Sequence, residues 1–179
     1  MPGQGMPQSL SLVIVHLVFS TKDRAALIPP EMGPRLHAYL AEVARGLGCH
    51  AYRVGGVADH VHLALTLPRT VTQGDVVKEL KTASNHWLGK QDARYADFGW
   101  QRGYGIFSVG KSQLAVLERY IENQEAHHRR RTFQDEFRDL LERYGVRGMR
   151  RMCGIEERAE RQRTEGRGQR SGQRQRRVA

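Results

Sequence analysis

The stretch HAYRVGGVADHVHLALTL, residues 50–67, decides the fold of this chain. It contains two consecutive segments that are typical of strands, residues 50–57 and residues 60–67, and a proline follows the second. Gly55 and Gly56 indicate either a bulge or a place where another backbone approaches closely. We therefore predict two neighbouring strands of one sheet, with two histidines at the start of the second strand.

Strand and helix patterns flank this stretch on both sides. Upstream, residues 11–19 are rich in Val, Ile and Leu and predict a buried strand, and residues 31–47 carry apolar side chains at helical spacing. Downstream we predict a helix from a Thr72 cap to about residue 88, a strand over residues 104–109, a helix that Ser112 caps and that carries residues 114–124, and an amphipathic helix over residues 133–144.

The resulting order of elements is β-α-β-β-α-β-α-α. Its first six elements match the split β-α-β, ferredoxin-like arrangement. The predicted fold class is therefore α/β (α+β), an antiparallel sheet with helices on one face, plus C-terminal helices.

Composition indicates a basic protein of one domain. The 179 residues include 29 Lys and Arg against 19 Asp and Glu, a net charge of +10, which favours a polyanionic partner, most often nucleic acid. Two cysteines without a disulfide-type spacing predict a reducing, cytoplasmic location. The longest apolar run, residues 10–19, is too short to span a bilayer, so we expect no membrane partner.

The ends of the chain differ in composition from its middle. Residues 1–9 are rich in Gly, Pro and Gln, and we predict disorder there. Residues 10–148 form the predicted catalytic domain, and residues 149–179 form a predicted disordered, Arg-rich tail, with eight Arg and four Glu after residue 154. This tail is either a solubilising extension or a DNA-binding arm.

Four side chains carry the candidate chemistry. His60 and His62 are two apart on a strand and share a face, while Tyr120 and Gln124 are four apart on a helix and also share a face. Two imidazoles and an amide oxygen are possible ligands of an open, catalytic metal site, and a phenol can attack a phosphodiester. The combination suggests covalent cutting of a nucleic-acid strand, although each residue type is also common in ordinary packing.

A competing motif overlaps the predicted strand at residues 104–109. Residues 105–112, GIFSVGKS, fit the phosphate-loop pattern G-x-x-x-x-G-K-[ST] and precede a helix. In a true phosphate loop the x positions form the loop, but here they are themselves the predicted strand. We interpret the match as coincidental and expect no nucleotide cofactor; a nucleotide-dependent enzyme that requires Lys111 is the alternative.

Several basic side chains are candidates for contacts with DNA phosphates, although each can also be ordinary solvated charge. They are Lys22, Arg24, Lys78, Lys81, Arg102, Arg129 and Arg130. His16, within the first strand, is interpreted as a core residue or as a residue that supports the site from behind.

Four separated motifs occur in one order along the chain. They are HLVFSTKDR at residues 16–24, DHVHL at residues 59–63, WQRGYGIFS at residues 100–108 and YIENQ at residues 120–124, followed by His127, His128 and TFQDEF at residues 132–137. Together they resemble the single-tyrosine HUH transposases (transposase A) of small bacterial insertion sequences, the insertion-sequence-two-hundred group. The resemblance spans about residues 10–145.

This resemblance implies more than the residue patterns do. It implies a homodimer that binds imperfect single-stranded DNA hairpins near the element ends and cuts through a 5′-phosphotyrosine. His60, His62 and Gln124 would hold Mg²⁺ or Mn²⁺, and Tyr120 would be the nucleophile. Active sites in the family are composite, with the tyrosine helix reaching the partner's histidines. A non-catalytic, domesticated module that binds repeat hairpins is the alternative.

Overall fold

The computed structural model describes residues 10–146, which contain a four-stranded sheet and five α-helices. The strands are β1 (Val13–Ser20), β2 (Ala51–Val57), β3 (His60–Leu67) and β4 (Gly105–Val109). The helices are α1 (Gly33–Gly46), α2 (Gln73–Gly89), α3 (Leu114–Glu122), α4 (Gln124–His128) and α5 (Phe133–Arg143). The predicted N-terminal disorder and the predicted Arg-rich tail lie outside the described residues.

The sheet has the strand order β2-β3-β1-β4, and all neighbouring strands are antiparallel. This order, with α1 and α2 as the two crossovers, confirms the predicted ferredoxin-like arrangement. The described residues divide into two compact units, the first ending at Phe133 and the second starting at Gln134. None of the described helices combines the length and the apolar character needed to traverse a bilayer.

The main core lies between the sheet and helices α1 and α2. The alternating side chains of β1 at Val15, Leu17 and Phe19 point to this face and pack with Leu36 of α1 and Leu80 of α2. Burial of such a side chain contributes about 1.5–3 kcal/mol. The two crossover helices are therefore on one face, as predicted.

Helix α3 covers the opposite face of the sheet. Its Leu114, Leu117 and Ile121 pack against Ile14 of β1 and Ala64 of β3 in a second, smaller cluster. The antiparallel sheet is thus covered on both faces, and the histidine-bearing face is the one under α3.

The two predicted helix caps have different outcomes. Thr72 caps α2, since its hydroxyl accepts a hydrogen bond from the backbone N–H of Asp75 at 3.1 Å. Ser112 does not cap a helix, because Lys111–Gln113 form a 3-10 turn and α3 begins at Leu114 without a side-chain cap.

The predicted helix through residue 124 is broken at Asn123. The Asn123 side chain donates to the carbonyl oxygen of Arg119 at 2.8 Å, and its ψ of 18° leaves the helical region. Gln124 therefore lies on the separate helix α4, which ends at His128, so the arginines that follow do not extend it.

The phosphate-loop string lies in a regular strand. Gly105 pairs with Val18, and Phe107 pairs with His16, in the antiparallel ladder between β4 and β1. A strand that is hydrogen-bonded in a sheet cannot wrap its N–H groups around a phosphate. The geometry therefore supports the interpretation of this string as coincidental.

Gly55 and Gly56 mark a close backbone approach rather than a bulge. A Cβ on Gly56 would overlap the carbonyl oxygen of His60 across the β2–β3 turn. The irregularity in the β2–β3 register lies elsewhere, between Ala51 and Arg53.

Candidate active site

Strand β3 presents His60 and His62 on the sheet face under α3. The intervening Val61 points to the opposite face, into the core beneath α1 and α2. Both histidine side chains are fully buried, with 0% exposure. The alternation of the strand therefore gives the two imidazoles a common direction.

Helices α3 and α4 bring Tyr120 and Gln124 to the same place. The Oε1 atom of Gln124 lies 3.4 Å from Nε2 of His60, and Gln124 is only 1% exposed. The ring of half-buried Tyr120 meets the ring of His62 edge-on, with centroids 5.7 Å apart and planes at 84°. All four residues that the sequence singled out for chemistry thus converge within one chain.

Both histidines are held from behind through their Nδ1 atoms. The Nδ1–H of His60 donates to Oδ1 of Asp59 at 2.7 Å, and Nδ1 of His62 is hydrogen-bonded to Nε2 of His16 at 2.8 Å. Asp59 immediately precedes the histidine pair, which was the only sequence signal for its role. His16 is 2% exposed and lies 46 residues away in the chain.

Burial lowers the pKa of two imidazoles of this cluster, His62 and His128. It lowers the pKa of His62 well below its ordinary value, and the neighbouring histidines lower it further. The pKa of His128 falls to about 4, chiefly through burial and then through the charge of His60. For Asp59, burial acts to raise the pKa, but the hydrogen bond and charge of His60 outweigh it, and the pKa is lowered.

Three imidazole rings surround the Tyr120 phenol. Besides His62, the ring of His16 lies edge-on at 6.0 Å between centroids and that of His127 at 5.5 Å. The contact of His127 with the Tyr120 ring was not predicted from the sequence.

The donor set suits a divalent cation. Because each Nδ1 is committed to a hydrogen bond behind the ring, Nε2 is the atom with which His60 or His62 would bind a metal. Two imidazole nitrogens and one amide oxygen resemble the sets that leave positions open for substrate, as in catalytic sites. Imidazole is more typical of transition metals than of Mg²⁺, so the residues fit Mn²⁺ readily and Mg²⁺ less typically.

The model of the family described as "Transposase IS200 like" matches residues 9–124. This chain belongs to that family. Members of the family are DNA transposases, so DNA strand transfer is the class of activity that membership assigns. The family resemblance predicted from the four motifs is thereby confirmed.

One relative in sequence agrees with this assignment, and two solved structures share the fold. The chain is similar to the ISDra2 transposase TnpA of Deinococcus radiodurans, with 28% identity over 114 residues that cover 61% of this chain and 81% of the relative. Its fold is similar to that of a Deinococcus radiodurans R1 chain described as a transposase, with a TM-score of 0.53, 24% identity, and coverage of 68% of this chain and 98% of the other. It is also similar to a REP-associated tyrosine transposase bound to a REP hairpin, with a TM-score of 0.51, 14% identity, and coverage of 70% and 74%.

The basic residues predicted to contact DNA differ in their exposure. Lys22, Lys78, Arg102, Arg129 and Arg130 are exposed, and Arg24 and Lys81 are half-buried. Arg129 lines the same cavity as Gln124 and His128. Lys81 has an intramolecular role, since its ammonium donates to the carbonyl oxygens of Gln101 and Gly103 at 2.7 and 2.8 Å.

A second concave surface lies beside α2. This groove of about 770 Å³ is lined by Lys81, Lys90 and Arg102, together with His86 and Trp100, and by no acidic side chain among the described residues. A groove that combines cations with an aromatic ring has the chemistry to hold a nucleic-acid strand.

Proposed function

We propose that this transposase is a metal-dependent enzyme that cleaves and rejoins single-stranded DNA at hairpin-bearing element ends through a 5′-phosphotyrosine on Tyr120. The observation that carries the proposal is the convergence in one chain of a phenol and three candidate metal ligands. Tyr120 meets His62 edge-on at 5.7 Å, and Gln124 lies 3.4 Å from His60. Each of these side chains alone could be an ordinary packing residue, but their convergence favours chemistry.

His60, His62 and Gln124 would hold Mg²⁺ or Mn²⁺, which when bound would polarise the scissile phosphate as a Lewis acid. The Tyr120 oxygen attacks phosphorus and loses its proton, while the bond from phosphorus to the 3′-oxygen breaks. That oxygen takes up a proton and leaves as a free 3′-hydroxyl, and the 5′-phosphate stays on Tyr120. Because the phosphoester is conserved, a 3′-hydroxyl can displace Tyr120 later without ATP.

The rings around Tyr120 restrict the motion of the nucleophile. Its edge-on contacts with His16, His62 and His127 would hold the phenol near one orientation. Holding a nucleophile in place before the reaction removes part of the entropic barrier.

Single-stranded DNA hairpins are the proposed partner. The net charge of +10 and the acid-free groove beside α2 support a polyanionic partner, and one structural relative is bound to a hairpin. Binding through such cations weakens with salt, since each neutralised phosphate releases counterions. We also propose that the protein is a cytoplasmic homodimer. The family resemblance implies that the two protomers exchange the helices that carry the tyrosine. Within one chain, Tyr120 already lies beside His62.

A covalent-capture assay tests the proposed reaction. Purified protein is incubated with a labelled pool of hairpins that carry single-stranded flanks, with Mn²⁺ or Mg²⁺ or with a chelator. We expect an SDS-resistant protein–DNA band that requires metal and is lost in Tyr120→Phe. Tyr39→Phe is the matched control, because Tyr39 stacks on Trp87 in α1 and α2, away from the histidines, and it should keep the band.

The opposite result has a defined meaning. If the pool binds tightly and in a salt-sensitive way but no band forms in any metal, the covalent mechanism is wrong. The non-catalytic, hairpin-binding module would then be the function. A band that persists in Tyr120→Phe would assign the nucleophile to another residue.

A further inference from the structure

His16 and His62 form a side-chain hydrogen bond between two imidazoles on the sheet face under α3. Nε2 of His16 lies 2.8 Å from Nδ1 of His62, and the two rings stack at 25° with centroids 5.1 Å apart. His16 pairs directly with Ala64 in the β1–β3 ladder. His62 is two residues before Ala64, so the two rings are diagonal neighbours on one face of the sheet.

A hydrogen bond between two neutral imidazoles needs one protonated and one bare nitrogen. His62 can bind a cation through Nε2 only if that atom keeps its lone pair. Its proton must then lie on Nδ1, and that proton must be donated to Nε2 of His16. The hydrogen bond at 2.8 Å is therefore compatible with a ligand role for His62 only if Nδ1 of His62 donates and Nε2 of His16 accepts.

His60 shows the same arrangement with a different acceptor. Its Nδ1–H donates to the carboxylate of Asp59 at 2.7 Å, while its Nε2 faces Gln124. Ligand histidines usually donate their second N–H to a carboxylate, a carbonyl oxygen or water. In this chain one of the two histidines uses another imidazole for that purpose.

We propose that His16 is a positioning residue for the candidate metal site, because its Nε2 accepts the Nδ1 proton of His62 and so fixes the tautomer and ring orientation in which Nε2 of His62 can bind a divalent cation. This inference rests on the proposed function, since it concerns the same metal site. It assigns His16 no contact with substrate. The imidazole of His16 also makes a T-shaped contact with the ring of Tyr120, the proposed nucleophile.

A packing role for His16 makes different predictions. His16 also contacts the ring of Phe107 at 6.3 Å, so its removal affects stability under either interpretation. His16→Phe keeps an aromatic ring of similar size but has no acceptor. His16→Gln ends in an amide oxygen at about the reach of Nε2, whereas the side chain of His16→Asn is too short to reach His62.

The first measurement needs no metal. In protein labelled with ¹⁵N-histidine, the ring nitrogen shifts of His62, assigned by comparison with His62→Gln, report which nitrogen carries the proton. We expect the Nδ1–H tautomer in the parent and in His16→Gln, and loss of that preference in His16→Phe and His16→Asn. A proton on Nε2 of His62 in the parent would overturn the proposal.

The second measurement is Mn²⁺ binding, followed by electron paramagnetic resonance in a Tyr120→Phe background that cannot react. We expect affinity to fall roughly 10- to 100-fold in His16→Phe and His16→Asn and to recover in His16→Gln. Equal affinity in all three would overturn the positioning role. If the parent shows the Nδ1–H tautomer but binds no Mn²⁺, the metal-dependent function is wrong and the hydrogen bond from His62 to His16 is still supported. Failure of the proposed function can therefore be distinguished from failure of the role of His16. If His16→Phe does not fold, the Gln and Asn pair still decides.

Discussion

Gly55 of β2 is in direct contact with Ile121 of α3. A Cβ built on Gly55 would lie 2.8 Å from Cγ2 of Ile121 and 2.8 Å from its carbonyl oxygen. Gly55 pairs with His62 across the β2–β3 ladder, and Ile121 directly follows Tyr120. Because Gly55 has no side chain, helix α3, which carries Tyr120, can pack closely against the sheet next to the histidines.

Substitution of Gly55 by alanine should separate the tyrosine helix from the histidines. The added methyl group meets backbone as well as side chain, so α3 must shift, and we expect a loss of about 1–3 kcal/mol in the free energy of unfolding. The covalent DNA adduct should fall by at least the factor of about 10² that a 1 Å misplacement can cost. Urea denaturation and the capture assay measure the two effects.

Gly46 provides the matched control for this substitution. It ends α1, and a Cβ there would meet nothing within 4 Å. Gly46→Ala should leave adduct formation unchanged and stability unchanged or slightly raised. Full adduct formation by Gly55→Ala would contradict the view that α3 requires this glycine.

Lys78 and Lys81 lie on one helix but should behave differently when each is replaced by methionine. The ammonium of Lys81 bonds the carbonyl oxygens of Gln101 and Gly103 and lies 5.1 Å from the ring centroid of Phe19. Lys81→Met leaves those carbonyls without their charged donor, so we expect a stability loss of about 1–3 kcal/mol. Lys78 is exposed, and Lys78→Met should change stability by less than about 0.5 kcal/mol.

Hairpin binding gives a second test of the role of Lys78. If Lys78 contacts a phosphate, Lys78→Met should weaken hairpin binding at low salt and lower the salt dependence by about one phosphate contact. Urea denaturation and fluorescence anisotropy at several salt concentrations give both quantities. Destabilisation by Lys78→Met together with a neutral Lys81→Met would show that the roles are assigned the wrong way round.

His37 of α1 should make the fold sensitive to mild acid. Burial lowers the pKa of His37 to about 4 from the ordinary 6.5, and its Nε2 has no hydrogen-bond partner within residues 10–146. Between these two pKa values the unfolded chain binds the proton and the native chain does not, so the free energy of unfolding falls as pH drops from 6.5 towards 4. Above pH 6.5 this contribution does not vary.

The substitution His37→Leu removes that contribution. The urea midpoint of the variant should fall less than that of the parent between pH 7 and pH 5. Some loss remains, because burial also lowers the pKa values of His62 and His128 and their contributions have the same sign. An identical fall in parent and variant would rule out His37 as a source of the acid sensitivity.

Local patterns predicted most of the fold. The strand β3 has the predicted bounds, and α2 begins at the predicted Thr72 cap. The errors occur where a local signal was ambiguous. Asn123 interrupts a helix whose helical spacing continues to Gln124, since the Asn123 side chain competes for the carbonyl oxygen of Arg119. Ser112 has the side chain of a cap, but a 3-10 turn moves the cap position of α3 by one residue, to Gln113.

By itself, the sequence determined which residue types could do chemistry and how neighbours along one element are oriented. His60 and His62 share a face because side chains alternate along any strand, whatever surrounds it. Only the tertiary structure decided that α3 lies on that face, through the contact of Ile121 with Gly55, and that His16 lies 2.8 Å from His62. Those relationships depend on the sheet register and on the packing of residues far apart in the chain, which no local spacing encodes.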